Sequence, residues 1–401
     1  MRISQRRGHI LAVLAALALL AAACSSDSDT ATTVAPETTA APTTTAAPTT
    51  TAAATTTAAP PEAVGDLSKC PNPLVLQTDW FPEPEHGALY QLTAGEGSID
   101  PESGVFQGPL AADPSITIEI RAGGPYIGFQ PAAALMYSDD DVFLGYVTTD
   151  EQIANFDSIP TIAVVAPLEK NPQILMWDPE TYDFASFSDV GDSGAVVNVF
   201  AGGFFPEYLA GTGQIPADNF DGSYDGAPTR FIVEEGAIVQ QGFATQEPWN
   251  YENIFEDWGR PVDFLLIHDS GFEVYSQQLT IRPDKLDDDA KECLKAFVPI
   301  VQQAAIDFMV DPGPANAAIL KAVEDLASFW VLVPDGVVNS VKVMDDLDIV
   351  SNGPDDTIGN FDLARIQAVI DQVRDIPVFK VTTVTPEDLV TNEFIDPSIG
   401  L

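Results

Sequence analysis

The sequence predicts an α/β protein whose folded part is divided into two lobes. Short apolar runs of strand length recur along the chain, separated by glycine-rich turns and helical stretches. Strands that alternate with helices are typical of mainly parallel sheets. About 330 residues remain once a polar N-terminal stretch is set aside. Because single hydrophobic cores stop growing at about 250–300 residues, two lobes are expected.

The first part of the folded chain supplies the strands. The earliest apolar run is followed by a helix that begins near His86, and turns such as Gly123-Gly124-Pro125 and Gly202-Gly203 follow later runs. Continuous apolar character or period-two alternation predicts strands. The predicted strands cover 74–78, 116–120, 142–147, 161–165, 195–200 and 262–267.

The C-terminal part is predicted to be mostly helical. Apolar side chains that recur every three to four residues indicate three amphipathic helices. These helices cover 285–308, 314–330 and 363–373. Pro299 is expected to bend the first, and Trp330 lies on the apolar face of the second. Thr385-Pro386-Glu387-Asp388 has the spacing of a capping box and marks a further helix start.

The N-terminus has the pattern of an export signal over residues 1–23. Three arginines precede an apolar run that is shorter than the about 20 residues needed to span a bilayer. The run ends in Ala21-Ala22-Ala23, followed by Cys24, and this resembles a bacterial lipobox. The resemblance implies cleavage before Cys24 and a lipid on its thiol. The alternative is ordinary cleavage with a spare cysteine. No later apolar stretch is expected to approach the length of a transmembrane helix, so the protein is expected to be anchored rather than membrane-spanning.

Residues 24–69 are predicted to form an extended tether. The segment consists largely of Thr, Ala and Pro repeats and has almost nothing large to bury. Whether it carries O-glycans stays open. A body held on such a tether can move near a membrane while remaining attached.

The charge balance excludes several classes of function. The chain has 60 Asp and Glu against 17 Lys and Arg, a net charge of −43, and removal of the signal would delete three of the arginines. A nucleic-acid binder that neutralises phosphates with a basic face is therefore excluded. Docking on anionic lipid through protein charge is also disfavoured. A hydrophobic content of 45% nevertheless suffices for a sizeable core.

Two cysteines follow Cys24, namely Cys70 and Cys293. Export to an oxidising compartment favours a disulfide between them, and this would join the start of the folded part to a distant helix. The alternative is two unpaired buried thiols. Neither cysteine has a histidine near it in sequence, which argues against a catalytic thiol. Only His86 and His268 follow the export signal, so His-rich metal sites are excluded. We expect neither a metal nor a cofactor.

Three short motifs have residue types found in enzyme active sites or calcium sites, but each lacks the neighbouring residues or spacing that such a site requires. Gly191-Asp192-Ser193-Gly194 is similar to the nucleophile loop of trypsin-like proteases but lacks the upstream histidine segment, and is predicted to be a polar turn. His268-Asp269-Ser270 contains all three triad residue types, yet neighbours in a strand point to opposite faces. The aspartates at 218–225 lack EF-hand spacing. We expect no catalytic residue.

The most informative stretch is Gln77 to Tyr90, in which Asp79-Trp80 follows a strand and His86 stands near a helix start. This stretch resembles the opening of the NMT1/THI5-like and SsuA-like substrate-binding proteins of ABC importers. The segment from Phe243 to Trp249 is similar to the Glu-Pro loop of the same family. The glycine pairs and residues 145–151 follow in the family's order, so the resemblance covers about residues 72–401.

The resemblance implies a periplasmic-binding-protein-like type II fold, in which two hinged lobes with mixed sheets enclose a ligand cleft. The implied first lobe comprises 70–166 plus 265–401 and the second 167–264, with hinges near 166–167 and 265–266. An ABC permease and its ATPase subunit are the implied partners. The protein would be exported and held by lipid at the outer face of the cytoplasmic membrane. We expect a monomer.

Several side chains are predicted to bind the ligand. Trp80 follows a strand end, where open α/β sheets place ligands, and its indole can stack on a ring. His86 can donate a hydrogen bond and Glu247 can accept one. The alternatives are that Trp80 packs under the following helix, that His86 caps a turn and that Glu247 forms a salt bridge between lobes. The predicted ligand-binding residues are Asp79, Trp80, His86, Tyr90, Tyr146, Glu247, Trp249 and Tyr251, with Tyr126, Trp177 and Tyr224 as weaker candidates.

The expected ligand is a small heteroaromatic nutrient, first a thiamine-precursor pyrimidine and second a flavin-like ring. Both ring systems can stack on an aromatic side chain and donate hydrogen bonds to acceptor groups of the protein. A sulfonate or nitrate-type anion is an alternative, with Arg121, Arg230 and Arg282 as possible partners. A pyrimidine-biosynthesis enzyme on the same fold is another, but the Cys-rich motif and cofactor lysine of that branch are missing from the sequence. A surface scaffold on a stalk is a third.

Overall fold

The computed structural model describes residues 65–381 and 383–401. The predicted export signal, Cys24 and nearly all of the predicted tether lie outside the described residues. The strands are β1 Leu74–Gln77, β2 Ser98–Asp100, β3 Val105–Leu110, β4 Asp113–Arg121, β5 Leu144–Val147, β6 Ile162–Val165, β7 Gln173–Trp177, β8 Val197–Asn198, β9 Phe220–Asp221, β10 Val239–Phe243, β11 Asp263–Leu266 and β12 Gln278–Ile281. The α-helices are α1 Gly87–Gln91, α2 Ala132–Ser138, α3 Thr149–Asn155, α4 Phe187–Ser193, α5 Phe204–Gly211, α6 Thr229–Val233, α7 Glu247–Asn253, α8 Asp288–Val310, α9 Gly313–Leu326, α10 Pro334–Asp346, α11 Leu363–Val373 and α12 Pro386–Leu389.

The first sheet has seven strands in the order β2-β3-β4-β1-β5-β12-β6. Strand β1 lies at its centre and pairs in parallel with both β4 and β5. The outer strands β2, β3, β12 and β6 join by antiparallel pairing. Every residue of β1 is buried, as expected of a central strand that is covered on both faces.

The second sheet has five strands in the order β11-β7-β10-β8-β9. Strand β10 pairs antiparallel with β7 and parallel with β8. The chain passes from the first sheet to the second between β6 and β7, and it returns between β11 and β12. The α/β class is confirmed, and both sheets are mixed, as the family resemblance implied. The mainly parallel pairing that the alternation of strands and helices predicted is corrected by the antiparallel strands.

Helix α8 lies at the centre of the larger hydrophobic core. Asp287 caps its start by accepting a hydrogen bond from the Ala290 N–H at 2.9 Å, and Leu294, Phe297 and Val301 are fully buried. The helix continues through Pro299. Within the described part of the chain it is the one helix long and apolar enough to cross a bilayer, but 61% of that stretch is buried inside the body. The expectation that no later stretch reaches this length is therefore corrected, because core burial selects the same composition.

The predicted disulfide is confirmed between Cys70 and Cys293. It attaches the residues just before β1 to α8, where Cys293 is fully buried. Two further contacts support this junction. The Asp66 N–H donates to the Glu292 carbonyl at 3.2 Å, and the Lys69 ammonium lies 2.8 Å from an Asp289 carboxylate oxygen.

A second core joins the two sheets to the C-terminal helices. It contains Ala163 of β6, Leu175 of β7 and Val239 of β10, together with Ile366 of α11 and Leu389 of α12. The C-terminal segment therefore packs against both sheets. The lobe boundaries stated above stay a prediction.

Most of the strands and helices expected from the sequence are present, with three differences. The strand expected at 195–200 is only Val197–Asn198. The helix expected at 314–330 ends at Leu326, because Ala327 takes a left-handed conformation with φ of 48°. Residues 191–194 form the end of α4 and its left-handed Gly194 cap rather than a polar turn before a strand.

Candidate ligand-binding site

A cleft of about 300 Å³ lies between the two sheets. It is bordered by the carboxyl ends of β1 and β4 on one side and of β8 and β10 on the other. This is where open α/β sheets leave space for ligands. The lining residues are Asp79, Trp80, Glu83, Gly124, Phe129, Gln130, Gln173, Phe200, Ala201, Tyr224, Gly226, Gln241, Gly242, Phe243, Gln246, Glu247 and Trp330.

Trp80 is held in place by the chain segment that follows β4. The Gly123 N–H donates to the Trp80 carbonyl at 2.8 Å, and the Gly124 N–H donates to the Asp79 carbonyl at 3.0 Å. A Cβ at residue 123 would come within 2.2 Å of the Asp79 backbone, and one at residue 124 within 2.9 Å of the indole. Glycine at both positions therefore permits the close approach that fixes the tryptophan.

The indole of Trp80 is surrounded by aromatic rings from distant parts of the chain. Ring centroids lie 6.0 Å away for Phe129, 5.8 Å for Phe200 and 6.0 Å for Trp330. Phe200 follows β8 of the second sheet, whereas Phe129 lies between β4 and α2. The aromatic wall is therefore made by both sides of the cleft. Trp80 remains partly exposed, and its indole lines the cleft.

A compact polar cluster adjoins Trp80 at the first sheet. The His86 Nε2 lies 3.0 Å from an Asp79 carboxylate oxygen and 3.4 Å from Glu83 Oε1. The Gln277 amide nitrogen donates weakly to the carboxylates of Asp79 and Glu83, at 3.3–3.4 Å. Asp79 and Glu83 face the cleft, whereas His86 is fully buried behind them.

Asp79, Glu83 and His86 also form a group that can hold a metal ion, since their ligand atoms lie within 4.8 Å of one another. Carboxylate oxygens and an imidazole nitrogen suit several divalent cations. The His86 Nε2 already contacts both carboxylates, whereas the buried His86 Nδ1 has no hydrogen-bond partner among the described residues.

The opposite side of the cleft presents Glu247 at the start of α7. Its carboxylate accepts a hydrogen bond from the Phe243 N–H at 2.7 Å. Burial raises the pKa of Glu247 to about 7. Burial also raises the pKa of Glu83 well above its usual range, and the carboxylates of Glu85 and Asp79 add to this. Two acidic side chains with raised pKa values thus lie on opposite sides of one cleft.

Glu85 connects the segment that follows β1 to the segment that follows β10. This buried carboxylate accepts a hydrogen bond from the Thr245 hydroxyl and a longer one from the Gln246 amide at 3.5 Å. The Gln246 amide also reaches Ser340 of α10 at 3.1 Å. Burial raises the pKa of Glu85 as well.

Of the eight residues predicted to bind ligand, the structure places Asp79, Trp80 and Glu247 on the cleft surface. His86 is buried behind Asp79 and Glu83 and does not line the cleft. The centroid of the Tyr146 ring lies 5.4 Å from that of the His86 ring. The Tyr146 hydroxyl has no hydrogen-bond partner in the part of the chain that the structure describes.

Tyr90, Trp249 and Tyr251 do not line this cleft. Tyr90 packs on Phe106 in the first core, with a distance of 4.9 Å between the ring centroids. The Trp249 ring packs against Gly336 of α10, so closely that a Cβ at residue 336 would lie 3.0 Å from the ring. Tyr251 is buried; its hydroxyl accepts a hydrogen bond from the Gln240 amide at 2.8 Å, and it borders an adjoining cavity.

The sequence did not single out the glutamines, Glu83, Phe200 or Trp330 of the lining. Trp330 was expected on a helical face, but it follows the end of α9 and donates from its indole nitrogen to the Pro82 carbonyl at 3.2 Å. Glu83 lies inside the Gln77-to-Tyr90 stretch, so its position two residues from an aromatic pair was an available signal. Tyr224, a weaker candidate, does line the cleft.

Among the described residues that line the cleft, none is Lys, Arg or His. The three arginines considered as anion partners are instead paired with carboxylates. Arg121 contacts Glu119 and Asp139, Arg230 contacts Asp221 and Glu234, and Arg282 contacts Asp140 and Asp284. The cleft is therefore aromatic and acidic.

Comparison with solved structures identifies the architecture. The periplasmic aliphatic sulphonate binding protein SsuA from Escherichia coli superimposes with a TM-score of 0.50 at 11% identity, over 79% of this chain and 96% of that one. A protein from Bordetella bronchiseptica gives a TM-score of 0.50 at 13% identity, over 80% and 95%. The chain has the periplasmic-binding-protein fold.

Identities this low establish the fold alone. No protein-family model matches the sequence, and no curated protein matches it. In the periplasmic-binding-protein fold of this chain, Trp80, Asp79 and Glu247 come together in the aromatic and acidic cleft between the sheets.

The raised pKa of Glu247 gives a prediction for stability. In the folded protein this carboxyl has a pKa of about 7, against an ordinary 4.5. The unfolded chain therefore loses its proton first, and the free energy of unfolding falls as the pH rises from 4.5 to 7. We expect Glu247→Gln to remove about 1–2 kcal/mol of this fall, after allowance for partial exposure. Urea unfolding at pH 4.5 to 8 measures it.

Glu252→Gln, an exposed change on the same helix, is the matched control. Other buried acids such as Glu169, with a pKa of about 7, contribute to the wild-type curve. The informative quantity is therefore the difference between wild type and Glu247→Gln. Parallel curves for these two proteins over the whole pH range would contradict the prediction.

Proposed function

We propose that this protein is an extracytoplasmic solute-binding lipoprotein of an ABC importer, related to the NMT1/THI5-like and SsuA-like binding proteins. It captures a small heteroaromatic nutrient and delivers it to a permease driven by an ATPase subunit. Lipid on Cys24 holds it at the outer face of the cytoplasmic membrane. It acts as a monomer and is a binding protein rather than an enzyme.

The observation that carries the proposal is the composition of the cleft. Trp80 offers a flat apolar face, and rings from both sheets surround it. Asp79, Glu83 and Glu247 provide hydrogen-bond acceptors at the edges of the same space. A planar ring that carries N–H groups can use both features, and a thiamine-precursor pyrimidine is the first such ligand, with a flavin-like ring as the second.

Contacts from both sides favour a closed state on binding. A ligand that touches Trp80 and Glu247 interacts with both sheets, and any ligand that binds the closed form better shifts the equilibrium toward it. The chain crosses between the sheets twice, near 166–172 and 267–277, and the hinges lie near 166–167 and 265–266.

A sulfonate remains the second candidate because SsuA shares the fold. The cleft composition disfavours it, since sulfonates require Arg, Lys or helix N–H donors. A pyrimidine-synthesis enzyme is also disfavoured, because the cleft has neither a lysine nor a cysteine among its described lining residues.

Thermal unfolding with candidate ligands tests the proposal. A ligand at a hundredfold excess over Kd stabilises the folded protein by about 2.7 kcal/mol. We expect this gain with 4-amino-5-hydroxymethyl-2-methylpyrimidine, thiamine or riboflavin, and none with taurine or nitrate. Stabilisation by taurine alone would move the assignment to sulfonates. Chemical turnover of a ring compound would make the protein an enzyme.

A further inference from the structure

A second cavity of about 310 Å³ adjoins the aromatic cleft. Tyr224, Gly226, Glu247 and Trp330 line both spaces, so these four residues form the boundary between them. We call the cleft beside Trp80 the ring chamber and the adjoining cavity the side chamber. Single ligand pockets usually measure about 300–1,000 Å³. Each chamber is therefore at the lower limit, and the two together fall within the usual range.

The two chambers differ in their walls. The ring chamber combines aromatic rings with carboxylates and glutamines. The side chamber is bordered mainly by apolar side chains, including Ile254, Phe255 and Val331, with Asn250 and Thr229 as its uncharged polar groups. None of the described residues that border the side chamber is basic. The part of a ligand that suits the side chamber is therefore apolar or weakly polar and carries no negative charge.

Glu247 stands where the two chambers meet and is the one charged residue among the described residues that border the side chamber. Its carboxylate already accepts one backbone hydrogen bond, from the Phe243 N–H, and a carboxylate has further acceptor capacity. The structure thus places an acceptor at the junction of the chambers. A ligand that spans both would meet it with an N–H donor or a positive charge.

The boundary at Gly226 is open because this residue has no side chain. Its φ is 88°, and a Cβ there would lie 3.4 Å from the Trp80 indole and 3.7 Å from Phe200. A larger residue would project toward the aromatic rings of the ring chamber. Glycine at this position keeps the space beside the indole free.

We propose that the ligand is a two-part molecule, with a planar ring in the ring chamber and an apolar, non-anionic extension in the side chamber. An N–H donor or positive charge lies beside Glu247 where the parts join. This inference rests on the proposed function and adds the size and charge of the ligand. A ligand of a single ring fills only half of the site.

Two matched ligand series test the inference on the wild-type protein by calorimetric titration. The first is 4-amino-5-hydroxymethyl-2-methylpyrimidine, thiamine and thiamine monophosphate. The second is lumiflavin, its 10-(5-hydroxypentyl) analogue and the phosphate ester of that analogue, because the ribityl chain of riboflavin is too polar to represent an apolar extension. In the series that binds, we expect the middle compound to bind at least tenfold more tightly than the ring alone, and the phosphate to reverse much of this gain.

The outcomes separate the inference from the proposed function. Equal affinity for the ring alone and for the two-part compound would overturn the inference and leave the proposed function intact. Tighter binding of the phosphate ester would overturn the charge argument. If neither series binds, the proposed function fails and the inference fails with it.

Filling the side chamber gives an independent check. We expect Ile254→Trp to raise the Kd of the two-part compound at least tenfold and the Kd of the ring alone less than twofold. Val310→Trp adds the same bulk on α8 at a side chain that is 77% exposed and outside both chambers, so it should leave both affinities unchanged. If Ile254→Trp melts early, Thr229→Phe fills the chamber from another wall. If a folded variant bound both compounds more weakly by the same factor, or bound both as tightly as the wild type, the inference would be contradicted.

Discussion

Trp80→Ala is expected to weaken binding of the ring ligand by about thirtyfold. Stacking of a planar ring on an aromatic side chain contributes about 1–3 kcal/mol, and 2 kcal/mol corresponds to roughly this factor. The indole is the common neighbour of Phe129, Phe200 and Trp330, so its removal opens the wall on both sides of the cleft. Calorimetric titration of wild type and variant with the compound that stabilises the wild type gives the two Kd values.

Two further variants make the result specific. Trp80→Phe keeps an aromatic face of smaller area and should fall between wild type and alanine. Tyr182→Ala removes a ring that stacks on Phe184 at 4.9 Å, outside the cleft lining, and should bind normally. If Trp80→Ala retained wild-type affinity while folded, the indole would be a packing residue and the proposed site would be wrong.

Removal of the disulfide by Cys70→Ala with Cys293→Ala is expected to lower the free energy of unfolding by about 3–4 kcal/mol. The two cysteines are 223 residues apart, and a cross-link over a long loop removes much of the conformational freedom of the unfolded chain. Urea unfolding at fixed pH measures the loss. The disulfide lies outside the cleft lining, so the Kd for the ring ligand should change less than twofold.

Reductant supplies the internal control for this experiment. Dithiothreitol should destabilise the wild type by a similar amount and leave the double variant unaffected. A loss below about 1 kcal/mol would show that the unfolded state is already restricted at this junction. A large change in ligand affinity would instead mean that the junction and the cleft are coupled.

The strands predicted from the sequence have either continuous apolar side chains, such as β1 and β6, or strict alternation, such as β4. Strand β10 was missed because Gln240 and Gln241 interrupt its pattern. Both are buried; the Gln240 amide nitrogen donates to the Tyr251 hydroxyl, and the Gln241 amide oxygen accepts a hydrogen bond from the Phe200 N–H. A prediction based on hydrophobic periodicity does not detect a strand whose buried side chains are polar because they belong to a binding site.

The candidate site was predictable where one short segment supplies it. Asp79 and Trp80 follow β1 directly, and Glu247 lies in a motif that resembles a family loop. Phe200 and Trp330 come from separate loops about 120 and 250 residues away from Trp80 along the chain, and only the packing of two sheets brings their rings together. The contact of Tyr251 with Gln240 and its place in the adjoining cavity depend on the same packing and could not be predicted from the sequence.

The linkage between Cys70 and Cys293 has a mechanical consequence. Any pull exerted through the residues before Gly65 reaches β1 only after passing the covalent bond to α8. Strand β1 is held on both sides by parallel neighbours and would otherwise be the first strand peeled away. Because the bond diverts the force into a 23-residue helix at the centre of the core, tension applied at Gly65 would load α8 before it could detach β1 from the sheet.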